Sequence, residues 1–74
     1  MIEVKAMMVG VVVRIDAGPG TAVAEDQPIV TLESMKMELP IPSPRAGRVR
    51  EIRVQVGDVV QEGDVVALLE EQEE

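Results

Sequence analysis

Seventy-four residues, 46% of them hydrophobic yet with no Phe, Tyr, Trp, Cys or His, describe one small domain without a disulfide, a thiolate nucleophile or an imidazole base. A formal charge of −7 argues against a nucleic-acid-binding footprint, since phosphate neutralisation demands clustered Lys and Arg. Self-contained hydrolase or redox chemistry is therefore not expected, nor is a catalytic or metal-ligating set of residues.

The apolar set of 14 Val, 5 Ile, 4 Leu, 5 Met and 6 Ala is dominated by β-branched residues, which favour strands. Gly and Pro interrupt the chain at short intervals, and no stretch keeps apolar residues at i, i+3, i+4 and i+7 long enough for an ordinary helix. The expected fold class is all-β. Strands are expected first over residues 3–6 and 11–15. Across them runs the longest uncharged apolar stretch, residues 6–13, broken by Gly10 and far shorter than the roughly 20 residues a membrane span needs. Glu3 and Lys5 break any secretory leader pattern, so no membrane is expected and the cytoplasm is the expected location.

A very short strand at 22–23 follows Gly18 and Gly20, and longer ones are expected over 28–33 and 38–42. Pro40, Pro42 and Pro44 suit an edge strand leaving its sheet better than a polyproline ligand. Over residues 48–54, Arg48, Arg50 and Arg53 form a wet face against Val49, Ile52 and Val54, with a slip in the alternation that predicts a bulge or bend near Glu51. That arginine face reads as solvated, and docking of an acidic partner is the lesser alternative. A second very short strand at 59–60 lies between Gly57-Asp58 and Gly63-Asp64, turn dipeptides whose Asp residues read as backbone acceptors and not as metal ligands. The last strand is expected over 65–69, before a frayed acidic tail holding Glu70, Glu71, Glu73 and Glu74.

Sliding the chain against itself by 37 residues aligns 10–33 with 47–70 without a gap, and eight of those 24 positions are identical. Matched Gly10/Gly47, Gly20/Gly57, Glu25/Glu62 and Glu33/Glu70 point to two copies of one β-unit, about 4–36 and 41–70, within a single domain spanning 1–74. Neither copy alone could bury a two-sided core, so the copies must pack or interlock as two sheets. The offset carries Lys36 onto Glu73. One end of the symmetric body therefore holds a closed hairpin and the other holds the chain termini.

Between the strands ending at Glu33 and starting at Glu38 lie only Ser34-Met35-Lys36-Met37. Tight hairpins ordinarily select Asn-Gly, Asp-Gly or a glycine for positive φ, and this one has none, a local conflict expected where function overrides folding preference. Methionine suits a surface that another protein must grip. Lys36 is one of two lysines, the other being Lys5, in a chain that otherwise uses Arg14, Arg45, Arg48, Arg50 and Arg53. A lysine amine can be acylated where a guanidinium cannot readily be, so Lys36 reads as a covalent attachment point as well as it reads as an ordinary turn lysine.

Glu33-Ser34-Met35-Lys36-Met37 resembles the E-A-M-K-M motif of biotinyl carboxyl carrier domains, within the biotinyl/lipoyl attachment family. Residues 41–47, Ile-Pro-Ser-Pro-Arg-Ala-Gly, resemble that family's I-x-A-P-x-x-G, and residues 56–64 resemble its V-x-x-G-D-x-V-x-x-G-D. The likeness covers about residues 4–70. It implies a flattened barrel-sandwich hybrid of two four-stranded antiparallel sheets related by a pseudo-twofold. It further implies biotin bound covalently at Lys36, with Glu33, Ser34, Met35 and Met37 read by a biotin protein ligase. The implied role is that of a non-catalytic carrier, taking a carboxyl group from a biotin carboxylase to a carboxyltransferase that acts on an acyl-CoA or keto acid. Without the thumb insertion and long Pro/Ala-rich linker common in acetyl-CoA carboxylase carriers, the chain is similar to free-standing thumbless carriers or to the carrier domains of other carboxylases and decarboxylases.

Three departures from the pattern stand out. Met7-Met8-Val9-Gly10 replaces P-M-P-G; Gly20-Thr21 and Asp26-Gln27 replace the first copy's G-D turns, which reads as drift; and Ser34 replaces alanine. Lipoyl domains often show E-S/T-D-K-A, but Met35 and Met37 around Lys36 favour biotin over lipoate. The alternatives are a lipoyl carrier, which would use the same lysine, and an unmodified β-module for assembly.

Overall fold

Eight strands form where β-branched residues alternate between turn signals: β1 Ile2–Lys5, β2 Gly10–Ile15, β3 Ala22–Val23, β4 Pro28–Ser34, β5 Met37–Pro42, β6 Gly47–Ile52, β7 Val59–Val60 and β8 Val65–Glu71. The structure, a computed structural model, describes residues 1–71. The strands make two four-stranded sheets of antiparallel pairs, ordered β1-β8-β6-β3 and β5-β4-β2-β7. Each sheet draws two strands from each copy, so the all-β barrel-sandwich expected from the repeat is present in its interlocked form. Strand β5 is an edge, which leaves the missing N–H groups of Pro40 and Pro42 harmless to the sheet.

The offset of 37 residues is a symmetry of the hydrogen bonds as well as of the sequence. Gly20 N donates to Val49 O at 2.7 Å, and its equivalent, Gly57 N, donates to Val12 O at 2.7 Å. Ala6 N reaches Asp64 O at 2.9 Å as Ser43 N reaches Gln27 O at 2.8 Å. The ladders shift register between Val12 and Arg14 and, equivalently, between Val49 and Glu51, which is the irregularity expected near Glu51.

Some boundaries differ from expectation. Strand β6 ends at Ile52, although Arg53 N still donates to Val66 O, because the bulge turns the chain out of the ladder. Strand β8 runs on to Glu71, so Glu70 and Glu71 are not tail but strand, paired with Arg48 and Gly47 and ion-paired to Arg50 at 3.5 Å and Arg45 at 2.9 Å. The rest of the expected acidic tail, including Glu73 and Glu74, lies outside the described residues.

Between the sheets sit Val4, Val12, Val23, Ile29, Val30, Leu32, Ile41, Val49, Val60, Val66 and Leu69, with Ala6, Ala17 and Ala67, all buried. Small branched side chains suffice because the body is narrow, measuring 40 × 18 × 18 Å. Gly47 is required by close approach: a Cβ there would run into the carbonyl oxygen of Glu70.

The second replaced turn signal, Asp26-Gln27, keeps the geometry of its equivalent. Asp26 adopts φ 71°, matching φ 90° at its equivalent Gly63. Where Asp64 Oδ2 accepts from Gln61 N at 2.8 Å, Gln27 Oε1 accepts from Ala24 N at 3.0 Å. Asp58 likewise accepts from Gln55 N. The side chains of Asp58 and Asp64 are thus spent on their own turns.

Candidate functional site

Strand β4 carries the site on the most constrained segment of its sheet. Ile29, Val30, Thr31 and Leu32 are all buried, so both faces of the strand are covered. One face looks into the apolar core. On the other, the Thr31 hydroxyl donates to Asp16 Oδ2 at 2.6 Å, and Arg14 Nε donates to Asp16 Oδ1 at 2.7 Å. Burial pushes the Asp16 carboxyl up, but hydrogen bonds from Thr31 and Arg14, with the Arg14 charge, outweigh it and hold the group below the usual carboxylate range. Arg14 also reaches Glu38 Oε1 on β5 at 3.5 Å, tying the two hairpin strands together from outside.

Above this base the β4–β5 ladder continues through Leu32↔Leu39 and Glu33↔Glu38 to Ser34↔Met37. The connection is therefore tighter than the four-residue loop expected from sequence: only Met35 and Lys36 lie outside the ladder. Both have positive φ, 51° and 66°, as a two-residue type I′ turn requires. Neither is Gly, Asn or Asp, and each left-handed residue costs roughly 1–2 kcal/mol. The sequence conflict at the tip is thus a physical strain in the backbone.

Five residues singled out by sequence stand together here. Lys36 is exposed at the turn, Met35 is 92% and Met37 62% exposed on either side, Ser34 is half-buried, and Glu33 is exposed beside Glu38. Among the described residues, no ion pair includes Lys36. A shallow hollow lined by Glu25, Pro44, Arg45, Ala46 and Glu71 lies toward the other pole. The arrangement presents a primary amine to solvent and suits formation of an amide whose acyl group projects from the molecule.

Sequence reasoning treated Met7-Met8-Val9 only as a departure from a pattern. The structure brings this loop beside the hairpin. Gly10, which follows it, packs so closely that a Cβ would meet Glu33 O at 3.0 Å, and Val11 pairs with Glu33. Extended by two residues, that register sets Val9 opposite Met35. Exposed Val11 and Val59 continue an apolar strip across β2 and β7. The signal in the sequence was the low charge of residues 6–13, unusual for a loop.

The family model Biotin_lipoyl, described as "Biotin-requiring enzyme", matches residues 2–69. Among curated proteins, the chain is 46% identical over 61 residues to the dihydrolipoyllysine-residue acetyltransferase component of the pyruvate dehydrogenase complex of Pseudomonas aeruginosa, covering 82% of this chain and 11% of that one. It is 42% identical over 66 residues to the human mitochondrial propionyl-CoA carboxylase alpha chain, covering 89% of this chain and 9% of that one. Similarity to the biotinylated protein TB7.3 homolog of Mycobacterium leprae, 39% over 67 residues, covers 90% of this chain and 94% of that one. The chain thus spans about a tenth of the first two relatives and nearly all of the third. Among solved structures, a single-chain, multi-domain long-chain acyl-CoA carboxylase superposes with a TM-score of 0.89 at 30% identity, covering 96% of this chain and 7% of that one. The lipoyl domain of the 2-oxoglutarate dehydrogenase complex from Azotobacter vinelandii superposes with a TM-score of 0.75 at 30% identity, covering 96% and 98%.

Proposed function

We propose, since this chain belongs to the biotin/lipoyl attachment domain family, that it is a biotin carboxyl carrier with the cofactor in amide linkage to Lys36. A domain of this family is a carrier and not, in general, a catalyst, in keeping with a chain that has no His or Cys. The observation that carries the reading is the strained tip, where an exposed lysine is held at positive φ between two exposed methionines.

In this reading a biotin protein ligase supplies the activated acyl group and recognises Glu33, Ser34, Met35 and Met37 around the amine. Bound biotin supplies a ureido ring able to carry a carboxyl group, and the hard chemistry belongs to partner enzymes. The chain's own work is mechanical. Strand β4, covered on both faces, fixes the base of the hairpin, and the lysine stem gives reach, so the cofactor is presented at high effective concentration without tight docking. A biotin carboxylase and a carboxyltransferase acting on an acyl-CoA or keto acid are the partners, in the cytoplasm. The single domain of residues 1–74, built from its two copies, serves as one rigid handle.

A second reading is a lipoyl carrier on the same lysine. It is favoured by the 46% identity to the acetyltransferase component and by the close fit of the Azotobacter lipoyl domain. The methionines on either side of Lys36, in place of Asp and Ala, support biotin.

The test is labelling of the purified chain by a biotin protein ligase with ATP and biotin, read by avidin binding, in parallel with a lipoyl ligase and lipoate. Avidin binding that Lys36→Arg abolishes without altering the melting temperature is expected. Lipoylation alone would replace the first reading with the second, and avidin binding that survives in Lys36→Arg, through Lys5, would overturn the site.

A further inference from the structure

All five methionines of this chain lie outside its core. Met1, Met7, Met8, Met35 and Met37 are exposed, whereas the buried apolar set is Val, Ile, Leu and Ala. Methionine ordinarily serves as the adaptable filler of core gaps, so its exclusion from the interior sets these residues apart. Four of the five gather at one pole. Met35 and Met37 flank Lys36, and Met7 and Met8 lie in the loop that Gly10 packs against Glu33. The internal repeat provides a comparison within the molecule: the equivalents of Met7 and Met8 at the other pole are Pro44 and Arg45. A leucine at position 35 would offer comparable apolar surface, unbranched at Cβ as the left-handed backbone prefers, and would carry no sulfur.

We propose that Met35 and Met37 are an oxidation site, at which a hydroperoxide blocks acylation of Lys36. This rests on the reading of Lys36 as the attachment point. In the step, a thioether lone pair attacks one peroxide oxygen; the S–O bond forms as the O–O bond breaks, and sulfur gives up two electrons. The departing hydroxide, or alkoxide from an organic hydroperoxide, takes the proton from the transferred oxygen and leaves as water or the alcohol. The sulfoxide is polar where the thioether was apolar, so a ligase surface closing on the tip must desolvate a group it does not match. Neither side chain belongs to the core cluster or to the side chains packed on it. Oxidation therefore alters the tip and leaves the body folded. Sulfoxide reductases reverse the change, which makes the site a switch.

The test takes the full chain before attachment, oxidises it with hydrogen peroxide, locates the added oxygen by peptide mass mapping and measures initial rates of labelling by a biotin protein ligase. Oxygen on Met35 and Met37, an unchanged circular dichroism spectrum and a fall in rate of about tenfold or more are expected. Methionine sulfoxide reductases A and B restore the rate, and a Met7→Leu/Met8→Leu variant keeps the full sensitivity. Labelling of the oxidised chain at the untreated rate, a loss that the reductases leave unrepaired, unfolding on oxidation, or sensitivity that disappears with Met7 and Met8 overturns the proposal. Failure of the untreated chain to accept label would instead overturn the attachment reading.

Discussion

Among the described residues no ion pair holds the Lys36 amine, which suits it to the proposed attachment, whereas Arg14, Arg45, Arg50 and Arg53 are each held by a carboxylate. In the proposed function, the neighbours of Lys36 decide which group it receives. Replacing Met35 with Asp and Met37 with Ala should move recognition from biotin ligase toward lipoyl ligase, seen as a fall in biotinylation and a gain in lipoylation at unchanged stability; unaltered biotinylation kinetics would deny the methionines a recognition role. Beneath the tip, Asp16 holds the buried Thr31 hydroxyl and the Arg14 guanidinium. Its folded pKa is depressed, so its contribution is present above the unfolded pKa and is lost as pH falls through the folded one. Asp16→Ala should cost about 1–3 kcal/mol at neutral pH, with Thr31 left short of its partner. Urea titrations of the two proteins should converge in strong acid. The lone lysine and its methionines were legible in the sequence because they break a local rule. The Arg14–Asp16–Thr31 group was not, since Thr31 lies 15 residues from Asp16 and no periodicity links them.

Element by element, the strands were legible wherever Val or Ile alternated between Gly and Pro, and even the bulge before Glu51 showed as a slip in that alternation. The ends were less so. Backbone partners, not residue type, extend β8 to Glu71 and close the β4–β5 turn to two residues. At Asp26-Gln27 the turn survives the change of residues: Asp tolerates the left-handed backbone, and a Gln side chain replaces that of Asp as the turn's acceptor. The strained turn yields a prediction that separates stability from function. Met35→Gly should raise stability by up to about 1 kcal/mol by relieving the left-handed backbone, yet reduce ligase labelling. Parallel thermal melts and labelling rates check it. Gly47 and Gly18 give the opposite contrast within the body. Gly47→Ala drives a Cβ into the Glu70 carbonyl and should cost about 1–3 kcal/mol, whereas Gly18, with open space around it, should accept Ala within about 0.5 kcal/mol in the same urea titrations.

At the scale of the whole molecule, two interlocked copies of one β-unit solve the problem of a short chain without aromatics. Each sheet takes strands from both copies, so neither can leave without opening the shared core. The pseudo-twofold also bears on the proposed attachment point. Its two poles are equivalent in backbone but not in connectivity: at one, Ser34 and Met37 close a hairpin around Lys36, and at the other, Ile2 pairs with Leu69 where the chain begins and β8 ends. A group attached at the closed pole would swing clear of the pole where Ile2 pairs with Leu69, which suits the proposed carrier role. The most direct test of the account is intact-mass analysis and peptide mapping of the chain purified from cells of its own source. One biotinyl group, confined to the peptide bearing Lys36, is the predicted result. An unmodified Lys36, a lipoyl group in its place, or biotin on Lys5 would contradict it.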